Sequence, residues 1–269
     1  ITNVGPSHLE FLTDLQGVLD EKCSLVNFLS DPSIIVFNGD DELLKRKFYY
    51  SREKPMAVSF GKTKTCDYRS TNVCLQDNLL KFKVGSNHYV LKSVARHNIY
   101  NALAAISLGR IFGMPHGLIK KALSDFNFPK GRMSMVKLDK LILLDDSYNS
   151  NPLSLKNAIN TLAEYKNKGR KILIIGDMLE LGKGAQEDFH SEAGEHASKV
   201  CDIIVTVGRL SKFAASAAQR CGFDRQNIFS CESSDEAREI FVNKITASAN
   251  DVVLVKGSRA MKMEKIFQE

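Results

Sequence analysis

The sequence predicts an α/β protein of two domains, the second built on a doubly wound, largely parallel sheet. Three observations predict it. The 269 residues exceed the roughly 100–200 of one typical domain. The second half alternates short apolar runs with helical stretches, the pattern of strands joined by crossover helices. Between the halves, Pro129-Lys130-Gly131 reads as a linker. A hydrophobic fraction of 43% and a charged fraction of 25% are ordinary for a globular chain. They exclude disorder, collagen and coiled coil for the whole. No apolar run approaches the ~18–20 residues of a membrane-spanning helix.

The elements follow in order. Ile1-Thr2-Asn3-Val4-Gly5-Pro6 reads as the tail of a strand entering a turn, as in a chain cut inside a domain. Thr13 to Gln16 fits a capping box, and Leu15, Val18, Leu19, Leu25, Val26 and Leu29 follow at helical spacing. Ser33–Phe37 is a short buried strand closed by the turn Asn38-Gly39-Asp40-Asp41. Residues 55–94 carry short alternating segments, with Gly85-Ser86-Asn87 marking a hairpin. An Ala-rich helix runs from His97 to about Phe112, and a shorter one from Leu118 to Phe126. In the second half, Met135–Leu138 and Leu141–Leu144 form a hairpin around Asp139-Lys140. Asn151-Pro152 supplies an N-cap and a proline for the next helix. Strands Ile172–Ile175, Ile203–Val207 and Val252–Val255 then alternate with helices near 186–200, 210–220 and 234–247.

The net charge of +6 is mild, and Lys45-Arg46-Lys47 is too short to make a nucleic-acid arm. Attraction to an anionic small substrate fits the excess at least as well. The six cysteines form no CxxC pair and no zinc spacing, which suggests free thiols in a reducing compartment.

Ligands of doubly wound sheets bind at the carboxyl ends of the strands, where the informative residues fall. Val252–Val255 leads into Lys256-Gly257-Ser258-Arg259 and a short helix, which is either an anion site or a solvated loop. Asp145-Asp146 also follows an apolar strand, and two adjacent carboxylates in extended chain point to opposite sides. Recognition of a ligand or simple helix entry through Asn151 would each explain that segment. Gly176-Asp177-Met178-Leu179-Glu180-Leu181-Gly182 lacks the spacing of a dinucleotide loop. His8 with Glu10 could reach a metal, or be an ordinary surface or core histidine.

Lys22 interrupts the apolar stripe of the first helix, so its ammonium must snorkel, pair or be altered. Facing a divalent ion at ~4 Å, it would be repelled by ~8 kcal/mol at an effective dielectric of about 20. A carbamate formed with CO2 reverses that charge and offers the oxygen ligands magnesium prefers.

The segments ITNVGPSHLE (1–10), NGDD (38–41), RHNIYNALAA (96–105), GR (131–132), DDSYNSNP (145–152), GDMLELG (176–182) and KGSRAMKME (256–264) resemble the Mur ligases, in that family's order across the whole chain. The likeness is strongest to the branch that adds D-alanyl-D-alanine. The D-N-P-R and K-G-H-E signatures of the sister branch are absent, and GDMLELG and DDSYNSNP argue against the folylpolyglutamate synthases. The resemblance implies the later part of the central ATPase domain over 1–130. It implies the Rossmann-like carboxyl-terminal ligase domain over 131–269.

It also implies an ATP-dependent, cytoplasmic ligase, monomeric when complete and binding neither nucleic acid nor membrane. ATP and Mg²⁺ would be its cofactors, and UDP-N-acetylmuramoyl-tripeptide and D-alanyl-D-alanine its substrates. The tripeptide carboxylate would become an acyl phosphate that the dipeptide amine attacks, in a site where cations stabilise the gathered anions. His8 matches the family's magnesium-binding histidine and Lys22 its carbamylated lysine. Asn98 and Asn101 match the asparagines beside the adenine, and Arg132 and Asp146 match residues that contact ATP. Lys256, Ser258 and Arg259 match contacts to substrate carboxylate or phosphate, while Asn149 and Asn151 stand where the sister branch reads its amino acid. Ala95 departs from the family's usual Gly, at about 1 kcal/mol if that position needs positive φ. The uridine-binding domain and the phosphate loop G-x-x-G-K-[ST] are not in the 269 residues, so the chain alone is expected to be inactive. A non-catalytic binding module, or half of a split ligase, would account for the same loss.

Overall fold

The computed structural model describes residues 1–49, 56–138, 141–182 and 184–267. It divides into two compact units, Ile1–Asn127 and Phe128–Glu269.

The first unit runs α1 (Leu9–Leu12), α2 (Leu15–Ser24), β1 (Ile34–Asn38), α3 (Glu42–Phe48), β2 (Met56–Gly61), β3 (Tyr68–Gln76), β4 (Leu79–Val84), β5 (Asn87–Leu91), α4 (Asn98–Ile111) and α5 (His116–Asp125). Its five strands lie in sequence order, parallel from β1 to β3 and antiparallel from β3 to β5. The antiparallel half is two tight hairpins. Asp77 and Asn78, both at positive φ, turn β3 into β4, and Gly85 at φ 57° opens the expected turn into β5.

The opening of the chain forms no strand, although Ile1 donates to Val36 O and accepts from Asn38 N alongside β1. The first long helix starts one residue later than the capping box suggests. Asp14, not Thr13, is the cap, accepting from Gly17 N at 2.8 Å, and Thr13 sits at φ 65°. The stripe is also shorter. Val18, Leu19 and Cys23 are buried, the last two against β1 and α3, while Leu15 is exposed at the start of α2 and Leu25 and Leu29 are exposed where α2 gives way to a 3-10 turn at Leu25–Phe28. Ala95 lies outside the left-handed region, so it carries no strain in place of glycine.

The second unit runs β6 (Ser134–Leu138), β7 (Leu141–Asp146), α6 (Pro152–Glu164), β8 (Lys171–Gly176), α7 (Ala185–Ala197), β9 (Ile203–Val207), α8 (Lys212–Arg220), β10 (Ile228–Cys231), α9 (Ser234–Ile240) and β11 (Val252–Lys256). Its sheet has the order β10-β9-β8-β11-β7-β6 and is parallel apart from the β6–β7 hairpin. The Asp139-Lys140 turn of that hairpin lies outside the described residues. Ile172, Leu173, Ile174 and Ile175 have no solvent exposure, each contributing about 1.5–3 kcal/mol by burial. The helix expected over 234–247 is α9 extended by a π-helical turn, Phe241–Ile245. Helices α7 and α8 meet backbone to backbone, for a Cβ on Gly194 would lie 2.0 Å from Ala214 O. The strand order sets the carboxyl ends of β8, β11 and β7 side by side.

Candidate functional site

The register of β7 on β11 places Asp146 opposite Lys256, which directly follows the apolar run Val252–Val255, while Asp146 is the second residue past Leu141–Leu144. Lys256 Nζ donates to Asp146 Oδ2 at 2.6 Å and to Asn149 O at 2.8 Å. The Lys256 side chain is 2% exposed and that of Asp146 14%. Burial pushes the Asp146 carboxyl up despite the attraction of Lys256, and pushes the Lys256 ammonium down despite Asp146. Two opposite charges therefore meet in a poorly solvated place, each held by the other.

Asp145 faces the other way, as adjacent residues of a strand must. Its oxygens accept from Gly131 N at 3.0 Å and Ser147 N at 3.1 Å. That anchors the Gly131 turn in the second unit. Gly131, at φ 73°, also accepts from Tyr148 N at 3.0 Å, and Arg132 follows it with its guanidinium 3.9 Å above the Tyr148 ring. Arg259 lies over the same ring at 5.8 Å, its guanidinium bonded to Glu264 at 2.9 Å.

A further network braces this edge from β8. Asp177 accepts from Ser211 N through Oδ1 and from Ser258 N through its carbonyl, while Ser258 Oγ accepts from Leu179 N. Buried His190 on α7 accepts from Met178 N at 2.9 Å through Nε2 and donates from Nδ1 to Gln186 O. Its pKa is lowered, first by burial. The helix expected after Gly257 is only a 3-10 turn, Arg259–Met261, so Lys256 and Ser258 lack the aligned N–H groups of a long helix. Asn151 caps α6 in a capping box, accepting from Ser154 N at 2.8 Å while Ser154 Oγ accepts from Asn151 N. Asn149 accepts from Ser150 N.

In the first unit, half-buried Lys22 donates to Asn3 O at 2.9 Å and Asn3 Oδ1 at 3.3 Å. Burial lowers its pKa against the pull of Asp41. His8 is exposed, at φ 54° just before α1. Asn98 is buried, donating to Ser93 Oγ and accepting from Asn101 at 3.0 Å, so the two asparagines form one unit on α4. The NGDD turn is structural. Asp40 accepts from Lys62 N, Thr63 N and Tyr100 OH, and Asp41 accepts from Val4 N and caps α3.

Two family profiles match this chain: the Mur ligase middle domain over residues 1–109, and the Mur ligase, glutamate ligase domain over 131–259. The chain belongs to the Mur ligase superfamily. Within it, the chain is similar to the UDP-N-acetylmuramoyl-tripeptide–D-alanyl-D-alanine ligase of Bacillus subtilis (strain 168), at 31% identity over all of this chain and 58% of that protein. Its fold is similar to that of MurF from Acinetobacter baumannii, with TM-score 0.85 and 23% identity over 99% of this chain and 57% of the other. The MurF ligase from Thermotoga maritima, solved in complex with ADP, gives TM-score 0.82 and 21% identity over 98% and 59%. The chain thus spans less than two thirds of the relatives it matches.

Of the residues that the Mur ligase resemblance singles out, Asp146 and Lys256 are joined directly, and Arg132 and Arg259 share the Tyr148 ring. Lys22 as an amine is a donor, and among the described residues no three His, Cys, Asp or Glu side chains are grouped to hold a metal ion. Sequence reasoning missed Tyr148 and His190. Tyr148 lies inside the DDSYNSNP segment with no signal of its own. His190 resembles any helix-face histidine until its two backbone partners are known.

Proposed function

We propose that this chain is part of an ATP-dependent ligase of peptidoglycan-precursor synthesis that joins D-alanyl-D-alanine to UDP-N-acetylmuramoyl-tripeptide. The observation that carries this reading is the 31% match of this whole chain to 58% of the Bacillus ligase, with Asp146 and Lys256 paired at the sheet's carboxyl edge. The ADP in the Thermotoga relative supports nucleotide as its energy source.

In the reaction, the γ-phosphoryl group of ATP passes to the tripeptide carboxylate, leaving ADP and an acyl phosphate. The dipeptide amine attacks the acyl carbon, and the tetrahedral intermediate collapses as phosphate leaves and the amine proton is lost. The physical demand is electrostatic, because several anions must be held together. Arg132 and Arg259 supply exposed cations, and the Lys256–Asp146 pair fixes the strand ends beside them. Asn98 and Asn101 are assigned to the adenine, Asp146 with Arg132 to ATP, and Arg259 to the anionic groups of the substrate, with buried Lys256 and Ser258 holding the strand end that presents it. Asn149 and Asn151 read the dipeptide. Since the 269 residues hold no G-x-x-G-K-[ST] loop, turnover belongs to an assembly that includes one.

Lys22 is assigned as a carbamate. Half-burial and a lowered pKa keep more of its amine neutral, the form that adds CO2, and the product carries the oxygen donors the amine lacks. The test is ligation by the native polypeptide purified from its source cells. ADP, phosphate and the extended peptide should appear in equal amounts. Lys22→Ala should lose most activity and regain part of it with added short carboxylic acids; full activity in that variant would remove the carbamate. ATP binding without product would leave a non-catalytic module, and product only with a second chain would mean a split ligase.

A further inference from the structure

The Tyr148 ring carries two guanidiniums, and neither bond geometry nor charge requires that arrangement by itself. Two cations brought to one ring repel each other, so the pairing needs something that holds them. The ring faces supply it, since their negative quadrupole attracts a guanidinium lying over them. Arg132 is stacked at 3.9 Å and Arg259 approaches at 5.8 Å. Each is also fixed another way: Arg132 by the Gly131 turn, whose carbonyl accepts from Tyr148 N, and Arg259 by Glu264. The turn fits closely. A Cβ on Gly131 would stand 3.0 Å from Tyr148 N and 3.2 Å from Tyr148 Cβ. Tyr148 is itself 45% exposed, and both guanidiniums are exposed, so their outer faces remain open to a ligand.

We infer that Tyr148 is a positioning residue that holds Arg132 and Arg259 as a preformed pair for a polyphosphate or acyl-phosphate anion. The inference rests on the ligase reading of the site, and it assigns the work to the aromatic ring rather than to the phenol hydroxyl. A guanidinium that is already oriented loses less side-chain freedom when an anion arrives. Tyr148→Phe should therefore keep the pair, and Tyr148→Ala should release it.

The test uses the native polypeptide purified from its source cells, with inorganic pyrophosphate and ATP as probes and calorimetry as the affinity readout. NMR supplies an independent readout, because the stacked ring should move the Arg132 side-chain resonances upfield. In the wild type and Tyr148→Phe the upfield shift should be present and the affinities equal. In Tyr148→Ala the shift should vanish and both anions should bind about five- to thirtyfold more weakly, the combined effect of two exposed cation–π contacts. Gly131→Ala, which leaves both arginines and the ring in the chain, should weaken binding in the same direction. A Tyr148→Ala chain that loses the shift but keeps wild-type affinity would overturn the positioning role and leave the ligase reading intact. Equal losses in Tyr148→Phe and Tyr148→Ala would transfer the role to the hydroxyl and overturn it too. A wild-type chain that shows the shift but binds neither probe would count against the ligase reading of this site, and the positioning role would fall with it.

Discussion

Lys256 shows how burial changes what a charged residue is for. At the end of an apolar strand it reads as a cation offered to a ligand, yet in the fold it is 2% exposed and spends its ammonium on Asp146 and the Asn149 carbonyl. An ion pair so placed is not a large net source of stability, because desolvating two ions offsets most of their attraction. Its loss by halves is another matter. Lys256→Ala leaves the Asp146 carboxylate poorly solvated and unpaired, which should cost about 3–5 kcal/mol, read as a lower urea midpoint for the chain. The double variant Lys256→Met with Asp146→Asn removes both charges and should recover most of that loss, because the two sites are coupled. A single-variant loss below about 1 kcal/mol would mean that water reaches the carboxylate and that the pair is effectively a surface one.

At the scale of elements, the ends of strands and helices carry the site, and the sequence exposes some of these ends better than others. Leu141–Leu144 and Val252–Val255 are both legible as apolar strands, but their parallel register is offset by one residue, setting Val255 against Asp145 and Lys256 against Asp146. Asn151-Pro152 announces α6, and the capping box is found there. Replacing Asn151 with Ala should therefore cost about 1 kcal/mol of stability, whereas Asn151→Asp should cost little, since a carboxylate caps equally well. Comparing thermal midpoints of the two variants checks this. It also separates the cap from any reading of the dipeptide, which the Asp variant should still impair. Other ends were illegible. The switch from Thr13 to Asp14 as the cap of α2 depends on Thr13 adopting φ 65°, which no local pattern signals. Strand β10 is four residues long and half-buried, too short for its periodicity to separate it from a loop. The Tyr148 platform was hidden for a further reason: its partners lie 16 residues before it and 111 after it, and only the sheet brings them together.

Across the whole chain, burial of titratable groups sets how stability should depend on pH, and the groups act in two windows. His190 is buried neutral, with its Nε2 accepting the Met178 N–H, so protonation would set two donors against each other. Its folded pKa lies below the ordinary 6.5. Stability from it is therefore complete above 6.5 and is lost as pH falls from there toward the folded value, because the unfolded chain takes up the proton first. Asp251 and Asp40 act lower. Burial raises each carboxyl, but hydrogen bonds outweigh it: from Arg170 and Ser248 to Asp251, and from Lys62, Thr63 and Tyr100 to Asp40. Both are depressed below 3.8, so their contribution is present above 3.8 and lost as pH falls through the folded values. Asp146, raised by burial, works in the opposite sense, favouring the folded chain as it protonates. The unfolding midpoint should thus decline in two steps on acidification, the first of them beginning near pH 6.5 with a slope approaching about 1.4 kcal/mol per pH unit. His116 and His196 are depressed in the same direction, so His190→Gln removes one of three titrations and should make the first step shallower while leaving the lower one in place. A first step of unchanged slope in His190→Gln would move its origin to His116 and His196, and loss of both steps would show that α7 no longer braces the loop after β8.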